Sequence, residues 1–378
     1  MKKHYLLTPG PTPIPPNVAL KEALPILHHR TSEFAQIYKD VAEGLKYAFQ
    51  TTNEVYTIAG SGSAAMETAV VNLLSPGDEI IVASCGNFGD RWAKIAQSYG
   101  VKVISVSVEW GKVVIPSEIE KALKANPNMK AVYTTFTETS TGVANDIKTI
   151  GEIVSKTNAV LVVDTVSGLV GQEYRADAWK VDVTVSGSQK GFMLAPGLSF
   201  ITLSDKAWKL VENSKIPKFY FDIKKYKKSY ATSETPFTPP VTLMVSLLEA
   251  IKMIKEEGLE NMWNEYKILA KASRAGMKAL GLELFGEIPC EVVTSAKVPE
   301  AIGGKIVKTL REKYGVSIAG GQGDLKGKII RFAHMGYIGK ADILVGFSCL
   351  EMVLEELGMK IEKGKGVAAV QEVLMKAV

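Results

Sequence analysis

Cysteine is scarce in this chain of 378 residues, which contains only Cys85, Cys290 and Cys349. The three are far apart and form no Cys-x-x-Cys pattern, which favours neither a disulfide framework nor a metal site. No apolar run approaches the roughly 18 residues of a membrane span, and the apolar start of the chain is too short for a signal peptide. We therefore expect a cytoplasmic protein that binds neither metal nor membrane.

Arginine is also rare, with six residues among the 45 basic ones. The net charge of +5 comes from lysines spread along the chain, and the densest run is 224–228. This run is short, so we interpret it as a solvated loop and expect no nucleic-acid partner. The chain is 46% hydrophobic and long enough for one large domain and a smaller one.

The order of apolar and helical segments predicts the fold class. Residues 1–16 form a proline-rich arm without helical periodicity, which must pack on another surface. From residue 54, apolar β-branched runs alternate with helical segments, a pattern typical of an α/β protein whose central, mostly parallel sheet is flanked by helices. The predicted strands are 54–59, 79–84, 101–108, 131–136, 159–166, 181–187 and 198–203, and the helices between them include 63–74, 88–99, 117–125 and 146–157.

The pattern changes after residue 204. Long helices are predicted at 241–256 and 259–280, followed by short strands and further helices of a smaller C-terminal α+β domain. We place the boundary inside the helix pair. The predicted parts are the arm at 1–16, a large domain at 17–257 and a small domain at 258–378; the later elements are strands at 290–294 and 329–335 and helices at 299–313 and 341–357.

Lys190 lies in the small-residue sequence Ser-Gly-Ser-Gln-Lys-Gly at 186–191, just past a predicted strand. A lysine at the carboxyl end of a strand faces the ligand crevice of an open α/β sheet. If it is desolvated, its amine can form a Schiff base. By itself, however, one lysine among 39 carries almost no weight, and a surface lysine in a turn is the favoured interpretation.

Asp164 ends the apolar strand before it, and a buried carboxylate needs a partner. A helix cap, a metal or a protonated pyridinium nitrogen can each supply one. The glycine-rich turn Ala59–Ala65 joins a strand to a helix and suits an anion. It lacks the Gly-Lys-Ser/Thr of a Walker A loop, and the acidic residue of a dinucleotide site is missing from the end of the next strand. Two interpretations of this turn remain: a binding site for a single phosphate group, or a plain tight turn.

Two further side chains stand out. Phe88 follows a strand end in a loop of small residues, where it can stack on a planar ring or simply pack in the core. Arg331 lies inside an apolar strand-like run, where it can bind a carboxylate or form a salt bridge between domains. His28, His29 and Arg30 precede a helix and can line or cap a substrate entrance.

Taken in order, these motifs resemble those of class V, fold-type I, pyridoxal phosphate (PLP)-dependent aminotransferases, in particular the alanine–glyoxylate and serine–pyruvate aminotransferases. Ser188-Gln189-Lys190 followed by Ala195-Pro196-Gly197 is the most specific element. The other matching pieces are Thr8-Pro9-Gly10-Pro11-Thr12, Gly60-Ser61-Gly62-Ser63, Gly86-Asn87-Phe88-Gly89, Glu138-Thr139-Ser140-Thr141-Gly142, Val163-Asp164-Thr165-Val166-Ser167 and Thr238-Pro239-Pro240.

The resemblance implies roles for ten cofactor residues and one substrate residue. Lys190 would hold PLP covalently and carry the proton, with Asp164 on the pyridinium nitrogen as the second catalytic residue. Arg331 would bind the substrate carboxylate. The remaining cofactor residues are implied as follows: Ser61, Gly62, Ser63 and Gln189 on the phosphate, Phe88 and Val166 on the two ring faces, Thr139 near the ring oxygen, and Thr238 on the phosphate of the partner subunit in a homodimer.

Two positions depart from the family pattern. Relatives often carry His where Ser63 stands, and some carry Tyr at the position of Thr235, so no phosphate role is carried to Thr235.

The implied reaction is transfer of an amino group from serine or alanine to glyoxylate or pyruvate by a ping-pong mechanism. The alternatives within the family are a 2-aminoethylphosphonate or aspartate aminotransferase and a cysteine desulfurase-like lyase, for which Cys290 is the candidate nucleophile. A nucleotide-dependent dehydrogenase built on Gly60–Ala65 and a non-catalytic binding module are the alternatives outside it.

Overall fold

The computed structural model describes residues 3–377, and a seven-stranded sheet forms its centre. The strands, in chain order, are β1 (Tyr5–Leu6), β2 (Val55–Gly60), β3 (Glu79–Ser84), β4 (Lys102–Ser107), β5 (Ala131–Thr135), β6 (Thr137–Glu138), β7 (Val143–Ala144), β8 (Val160–Asp164), β9 (Val183–Gly187), β10 (Gly197–Leu203), β11 (Val293–Lys297), β12 (Val316–Ser317), β13 (Ala319–Gly320) and β14 (Ile329–Ala333).

The central sheet has the order β2-β10-β9-β8-β5-β3-β4. Strands β4, β3, β5, β8 and β9 run parallel to one another, whereas β10 is antiparallel to both of its neighbours. The predicted mostly parallel sheet is confirmed. Because parallel strands share one carboxyl edge, the chain segments that follow Ser84, Asp164 and Gly187 meet at that edge, where open α/β sheets bind ligands.

Helices cover both faces of this sheet, as the alternating side chains of β8 demonstrate. Val160 and Val162 belong to one hydrophobic core, and Leu161 and Val163 belong to the other. The helices are α1 (Pro16–Glu22), α2 (Ser32–Phe49), α3 (Gly62–Leu73), α4 (Asn87–Ser98), α5 (Pro116–Ala125), α6 (Ile147–Val154), α7 (Asp205–Asn213), α8 (Ile223–Tyr230), α9 (Val241–Glu257), α10 (Leu259–Ala279), α11 (Glu300–Thr309), α12 (Lys340–Glu356) and α13 (Lys365–Met375).

The lysine run at 224–228 is helical, so the loop interpretation was wrong. It lies in α8, whose first turn is capped by the Asp222 side chain accepting from the Lys224 N–H. Ile223 and Tyr226 are buried and attach one face of the helix to the core, while most of the lysines face solvent. The burial of two apolar side chains and the N-cap stabilise this helix despite the repulsion among its lysines.

The C-terminal part contains a second, antiparallel sheet of order β11-β14-β13. Arg331 lies on its central strand and is buried. Across residues 3–377 no helix is long and apolar enough to cross a membrane.

The proline-rich arm packs along the small sheet region and then reaches the large one. Its strand β1 pairs in parallel with β12. Further on, the Thr12 N–H donates to the Gln189 carbonyl at 3.1 Å, and the Thr12 hydroxyl donates to the Lys190 carbonyl at 2.9 Å. The arm therefore fixes the loop that carries Lys190.

Candidate active site

A cavity of about 200 Å³ opens at the carboxyl edge of the central sheet. It lies between the ends of β2, β8 and β9 and the first turns of α3 and α4. Twelve residues line it: Ser61, Gly62, Ser63, Met66, Phe88, Arg91, Thr137, Asp164, Val166, Ser167, Gln189 and Lys190.

Lys190 and Asp164 come to this cavity from neighbouring strands. Asp164 is the last residue of β8 and pairs in register with Val185 of β9, and Lys190 follows three residues after β9 ends. The Lys190 amine donates a hydrogen bond to the Pro9 carbonyl of the N-terminal arm. The spacing of 26 residues along the chain thus corresponds to two adjacent strand ends.

Burial acts on both groups in favour of their neutral forms. Desolvation raises the pKa of Asp164 to about 7, against which the Val166 N–H and the charges of Arg91 and Lys190 act. Desolvation and the nearby Arg331 charge lower the pKa of Lys190 to about 8. A lysine with such a pKa supplies a neutral amine near physiological pH, which a nucleophile or a general base requires.

The Asp164 carboxylate keeps one oxygen for another partner. Its Oδ1 accepts from the Val166 N–H at 2.8 Å, a local strand-end bond of the kind that the capping interpretation expects. No other hydrogen bond to this carboxylate is found among the residues described. The second oxygen can therefore accept from a protonated ring nitrogen.

The glycine-rich turn begins α3 at the mouth of the cavity. Ser61 is the N-cap residue, and its carbonyl accepts from the Ala64 N–H at 2.8 Å, but its side chain caps none of the first backbone N–H groups of the helix. Close packing favours glycine here, because a Cβ on Gly62 would lie 2.5 Å from a Val166 methyl group. The Gln189 Oε1 atom is a buried acceptor without a hydrogen-bond partner, so this amide is free to turn its Nε2 donor towards the cavity. This geometry suits an anion of phosphate size.

Phe88 lies in the first turn of α4, which a buried glutamate holds in place. Glu138 accepts from the N–H groups of Phe88 and Gly89 at 3.0 and 2.9 Å, and from the Ser140 hydroxyl at 2.5 Å. Burial raises the pKa of Glu138, although these hydrogen bonds oppose the shift. The Phe88 ring is partly exposed towards the cavity, so it is not an ordinary core residue.

Arg331 reaches from the small sheet to the large one. Its Nε donates to the Gly320 carbonyl and its Nη1 to the Thr139 carbonyl, both at 2.8 Å. It has no carboxylate within 4.0 Å in the described part of the chain, so the salt-bridge interpretation is not supported. Desolvation lowers the pKa of Arg331 to about 10, and the charge of Glu138 opposes this. The guanidinium is thus a buried cation without a directly paired carboxylate among the described residues, which suits it to an incoming anion.

Besides Arg331, three further residues that the sequence singled out lie away from the cavity lining. Thr139 is buried behind it, with its hydroxyl 3.3 Å from that of Ser167. Thr238 is exposed on the surface of this single subunit. Cys290 is fully buried, donates to the Val293 carbonyl and has its pKa raised by desolvation to about 11. A buried thiol of this kind is not a reactive nucleophile, which argues against the desulfurase alternative.

Four cavity residues were not singled out from the sequence: Met66, Arg91, Thr137 and Ser167. Arg91 had a detectable signal, because it is one of six arginines and lies three residues after Phe88, on the same helical face. Thr137 had none, since a threonine in an apolar strand is unremarkable. Its hydroxyl is buried and has no hydrogen-bond partner in the structure.

The family model of the class V aminotransferases, Aminotran_5, matches residues 4–326 of the chain. The chain belongs to the class V aminotransferases. This confirms the resemblance drawn from the motifs, and the two alternatives outside the family no longer apply.

Curated relatives cover the chain almost completely. An uncharacterised aminotransferase of Methanocaldococcus jannaschii is 42% identical over 99% of this chain and 98% of its own. The L-aspartate–glyoxylate aminotransferase of Paracoccus denitrificans is 36% identical over 97% and 95%, and the serine–glyoxylate aminotransferase of Methylorubrum extorquens is 34% identical over 98% and 96%. A Synechococcus protein named as the small subunit of a soluble hydrogenase is 41% identical over 99% of both chains.

Solved structures share the whole fold. The ureidoglycine–glyoxylate aminotransferase of Bacillus subtilis superposes with a TM-score of 0.95 at 31% identity, covering 99% of each chain. The alanine–glyoxylate aminotransferase of Nostoc has a TM-score of 0.90 at 30% identity, covering 94% of this chain and 96% of its own. The fold is therefore that of the fold-type I enzymes, whose class V aminotransferases depend on PLP.

The cavity fits PLP on three observations. The backbone N–H groups at the start of α3, which no side chain caps, suit the phosphate end. The partly free Asp164 carboxylate suits the ring nitrogen. Lys190 supplies an amine whose pKa burial has already lowered.

Proposed function

We propose that this PLP-dependent aminotransferase moves the amino group of serine or alanine to glyoxylate or pyruvate. The observation that carries the proposal is that Lys190 and Asp164 line one cavity together with the glycine-rich turn at Ser61–Ser63. The relatives named for glyoxylate support a small 2-oxo acid as the acceptor. Bound PLP supplies the electron sink that stabilises a negative charge at the substrate α-carbon.

Within the cavity, each side of the cofactor has its own residues. Ser61, Gly62, Ser63 and Gln189 hold the phosphate at the start of α3. Asp164 accepts from the ring nitrogen and keeps it protonated. Phe88 and Val166 are assigned to the two ring faces. Thr139, whose hydroxyl lies 3.3 Å from that of Ser167, is assigned a place near the ring oxygen.

Lys190 has two tasks in this assignment. Its Nζ would hold the cofactor covalently in the resting enzyme and would act as a free amine once substrate is bound. As a base, the free amine would take the α-proton from the substrate. As an acid, it would then give that proton to the reacting carbon on the other side of the substrate nitrogen. The depressed pKa of Lys190, about 8, matches a group that must both accept and donate near neutral pH.

Arg331 is the proposed anchor for the substrate carboxylate. The carbonyls of Gly320 and Thr139 orient the guanidinium through Nε and Nη1 and leave Nη2 free. Burial excludes water from the Arg331 guanidinium and strengthens its pairing with an incoming carboxylate. Both the amino acid and the 2-oxo acid carry this group, so one residue serves both half-reactions.

We further infer a homodimer whose active sites lie between subunits. Thr238 is exposed, and a role on phosphate requires that it reach the cavity of the partner. Large apolar side chains are exposed nearby in sequence and elsewhere, notably Leu20, Ile26 and Phe219, with 67, 71 and 72% of their surfaces accessible. Exposed apolar residues of this size are typical of protein–protein contacts.

The proposed organisation has the arm at 1–16, the large domain at 17–257 and the small domain at 258–378. The division falls at Gly258, where α9 ends and α10 begins with a change of backbone direction. We also place the enzyme in the cytoplasm, which three unpaired cysteines support.

Half-reactions test the proposed substrates. The holoenzyme is expected to absorb at about 410–430 nm. Serine or alanine alone should bleach this band with release of one equivalent of 2-oxo acid per site, and glyoxylate or pyruvate should restore it. Borohydride should attach the cofactor to Lys190, as peptide mass spectrometry would locate.

Substitution controls separate the site from the fold. Lys190→Ala should abolish labelling and reduce transamination at least about a thousandfold. Lys206→Ala is the matched control, because Lys206 is also partly buried with its amine on a backbone carbonyl, yet at the opposite edge of the sheet. Bleaching by aspartate or 2-aminoethylphosphonate but by neither serine nor alanine would overturn the substrate assignment, and a colourless protein would overturn the site.

A further inference from the structure

Arg91 is the charged residue of the cavity lining whose role neither the motifs nor the reaction accounts for. It lies on α4 one turn after Phe88, and it lines the cavity together with Ser63. Its guanidinium is partly buried and has no carboxylate within 4.0 Å among residues 3–377. Its charge acts on the Asp164 carboxylate at longer range, and a cavity cation without a directly paired carboxylate is suited to an anionic ligand.

Two contacts fix the guanidinium in place. Its Nη1 donates to the Ser63 hydroxyl at 2.9 Å. The guanidinium carbon lies 4.9 Å from the centre of the Phe88 ring, within the range of a cation–π contact. Arg91 is therefore attached to the first turn of α3 on one side and to the aromatic residue of the cavity on the other.

The contact with Ser63 indicates which anion Arg91 meets. Ser63 belongs to the turn at the start of α3, where the backbone N–H groups define the phosphate end of the cavity. Arg331, by contrast, is held by the Thr139 and Gly320 carbonyls at the substrate end. Arg91 thus lines the cavity beside the first turn of α3, whereas Arg331 lies beyond the lining, towards the small sheet.

We propose that Arg91 is a phosphate-binding residue of the cofactor site, which compensates the phosphate charge directly and through the Ser63 hydroxyl. This inference rests on the proposed position of the phosphate at Ser61–Ser63. It also explains why this chain functions with Ser at position 63, where relatives often carry His: the serine hydroxyl accepts from a guanidinium that supplies the positive charge.

The test compares two ligands that differ only in the phosphate. Apo-enzyme is prepared from the full-length chain, and dissociation constants for PLP and for pyridoxal are measured by absorbance and tryptophan fluorescence. Arg91→Gln should weaken PLP binding about tenfold or more and change pyridoxal binding less than about twofold, since charge-assisted hydrogen bonds dominate phosphate binding. Inorganic phosphate should slow PLP reconstitution of the wild type more than that of Arg91→Gln.

Matched variants keep the outcome interpretable. Arg91→Lys should recover part of the preference for PLP because it retains the charge. Arg175→Gln controls for loss of an arginine stacked on an aromatic ring, since Arg175 lies 5.2 Å from the Trp263 ring and outside the cavity. It should leave both dissociation constants unchanged.

Three results would overturn the proposal. Equal weakening of PLP and pyridoxal in Arg91→Gln would show that Arg91 only supports Phe88. A change confined to the KM of aspartate would assign it to the substrate side chain, and no change would leave it without a ligand role. If wild-type protein itself failed to prefer PLP over pyridoxal, the proposed function would fail instead, so the two failures are distinguishable.

Discussion

Asp164 and Lys190 carry opposite charges, and burial drives each of them towards its neutral form. The pKa of Asp164 rises to about 7 and that of Lys190 falls to about 8, mainly by desolvation in both cases. Burying two such groups costs stability in the cofactor-free protein, and their mutual attraction offsets only part of that cost. Bound PLP would relieve it, because Asp164 would gain the ring nitrogen as a partner and Lys190 would lose its ammonium charge.

Asp164→Asn should stabilise the apo-enzyme in a pH-dependent manner. Because the folded-state pKa of Asp164 exceeds its ordinary value, the folded chain binds more protons than the unfolded chain between about pH 4 and 7, and stability falls as pH rises through this window. The asparagine removes this loss. Thermal unfolding of apo-enzyme should therefore show a higher Tm than wild type at pH 8 and nearly equal values near pH 4.

Asp182→Asn is the control for that measurement. Asp182 accepts hydrogen bonds from the Leu161 N–H and the Ser204 hydroxyl and lies 3.7 Å from Lys206. Its substitution should lower the Tm at pH 8. If Asp164→Asn behaved in the same way, the carboxylate would be a structural cap and not a group awaiting a partner.

Arg331→Lys should raise the KM for both the amino acid and the 2-oxo acid by about tenfold or more, with a smaller effect on kcat. A lysine keeps the charge but cannot bind backbone carbonyls and a carboxylate fork at the same time. Steady-state kinetics with both substrates measure this. Arg274→Lys is the matched control, since Arg274 also lies in the C-terminal part and binds the Cys290 carbonyl and Glu291; a similar KM increase there would argue against a specific role of Arg331.

At the scale of elements, three segments from distant parts of the chain meet around Lys190. The N-terminal arm supplies the Pro9 carbonyl, β8 supplies Asp164, and β9 leads into the lysine loop. Only two residues of the arm form a strand, β1. The arm instead restricts the position of Lys190, because Gly10 packs directly against the Lys190 side chain.

Gly10→Ala should impair the cofactor chemistry more than the stability. Gly10 has φ +131, and a Cβ there would lie 2.3 Å from the Lys190 Cε and Nζ atoms, so the lysine must shift. Gly77→Ala isolates the backbone effect, because Gly77 also has a positive φ (+86) but no atom within 4 Å of the added Cβ. Both variants should lose roughly 1 kcal/mol of stability.

Only Gly10→Ala should lose the visible band and most of kcat. Absorbance spectra at matched PLP concentrations and denaturant unfolding check the two parts separately. Equal activity in the two glycine variants would mean that the arm does not constrain Lys190.

At the scale of the whole molecule, the proposed dimer predicts how defective subunits complement each other. Lys190→Ala removes the attachment point from a subunit's own site, whereas Thr238→Glu places a negative charge against the phosphate of the partner's site. A hybrid of the two variants has one site with both defects and one site with neither.

Mixing the two variants in equal amounts should restore about one quarter of wild-type activity, because half of the dimers are hybrids with one functional site of two. Each variant alone should be inactive. The mixture is refolded together, and hybrids are isolated by differential tags. Inactive hybrids would place Thr238 on its own subunit's site, and full activity of Thr238→Glu alone would place Thr238 outside the site.

The periodicity of the chain was sufficient to predict the α/β class and the approximate bounds of most central elements. A strand buried on both faces reads as a continuous apolar run, as at Val160–Val163, and this signal is local. The order of motifs was sufficient for the family. Where a local pattern misled, at Lys224–Lys228, the helix depended on the burial of Ile223 and Tyr226, which is a tertiary contact.

Local sequence determined the residue types at the strand ends, but tertiary structure alone decided which of them share a cavity. Strand order brought β8 beside β9 and α3 beside α4, and thereby placed Arg91 on Ser63 and left it without a carboxylate. Burial then set the pKa values of Asp164 and Lys190 and made Cys290 inert. The physical reason is that desolvation and pairing depend on neighbours distant in the chain, which no local pattern specifies.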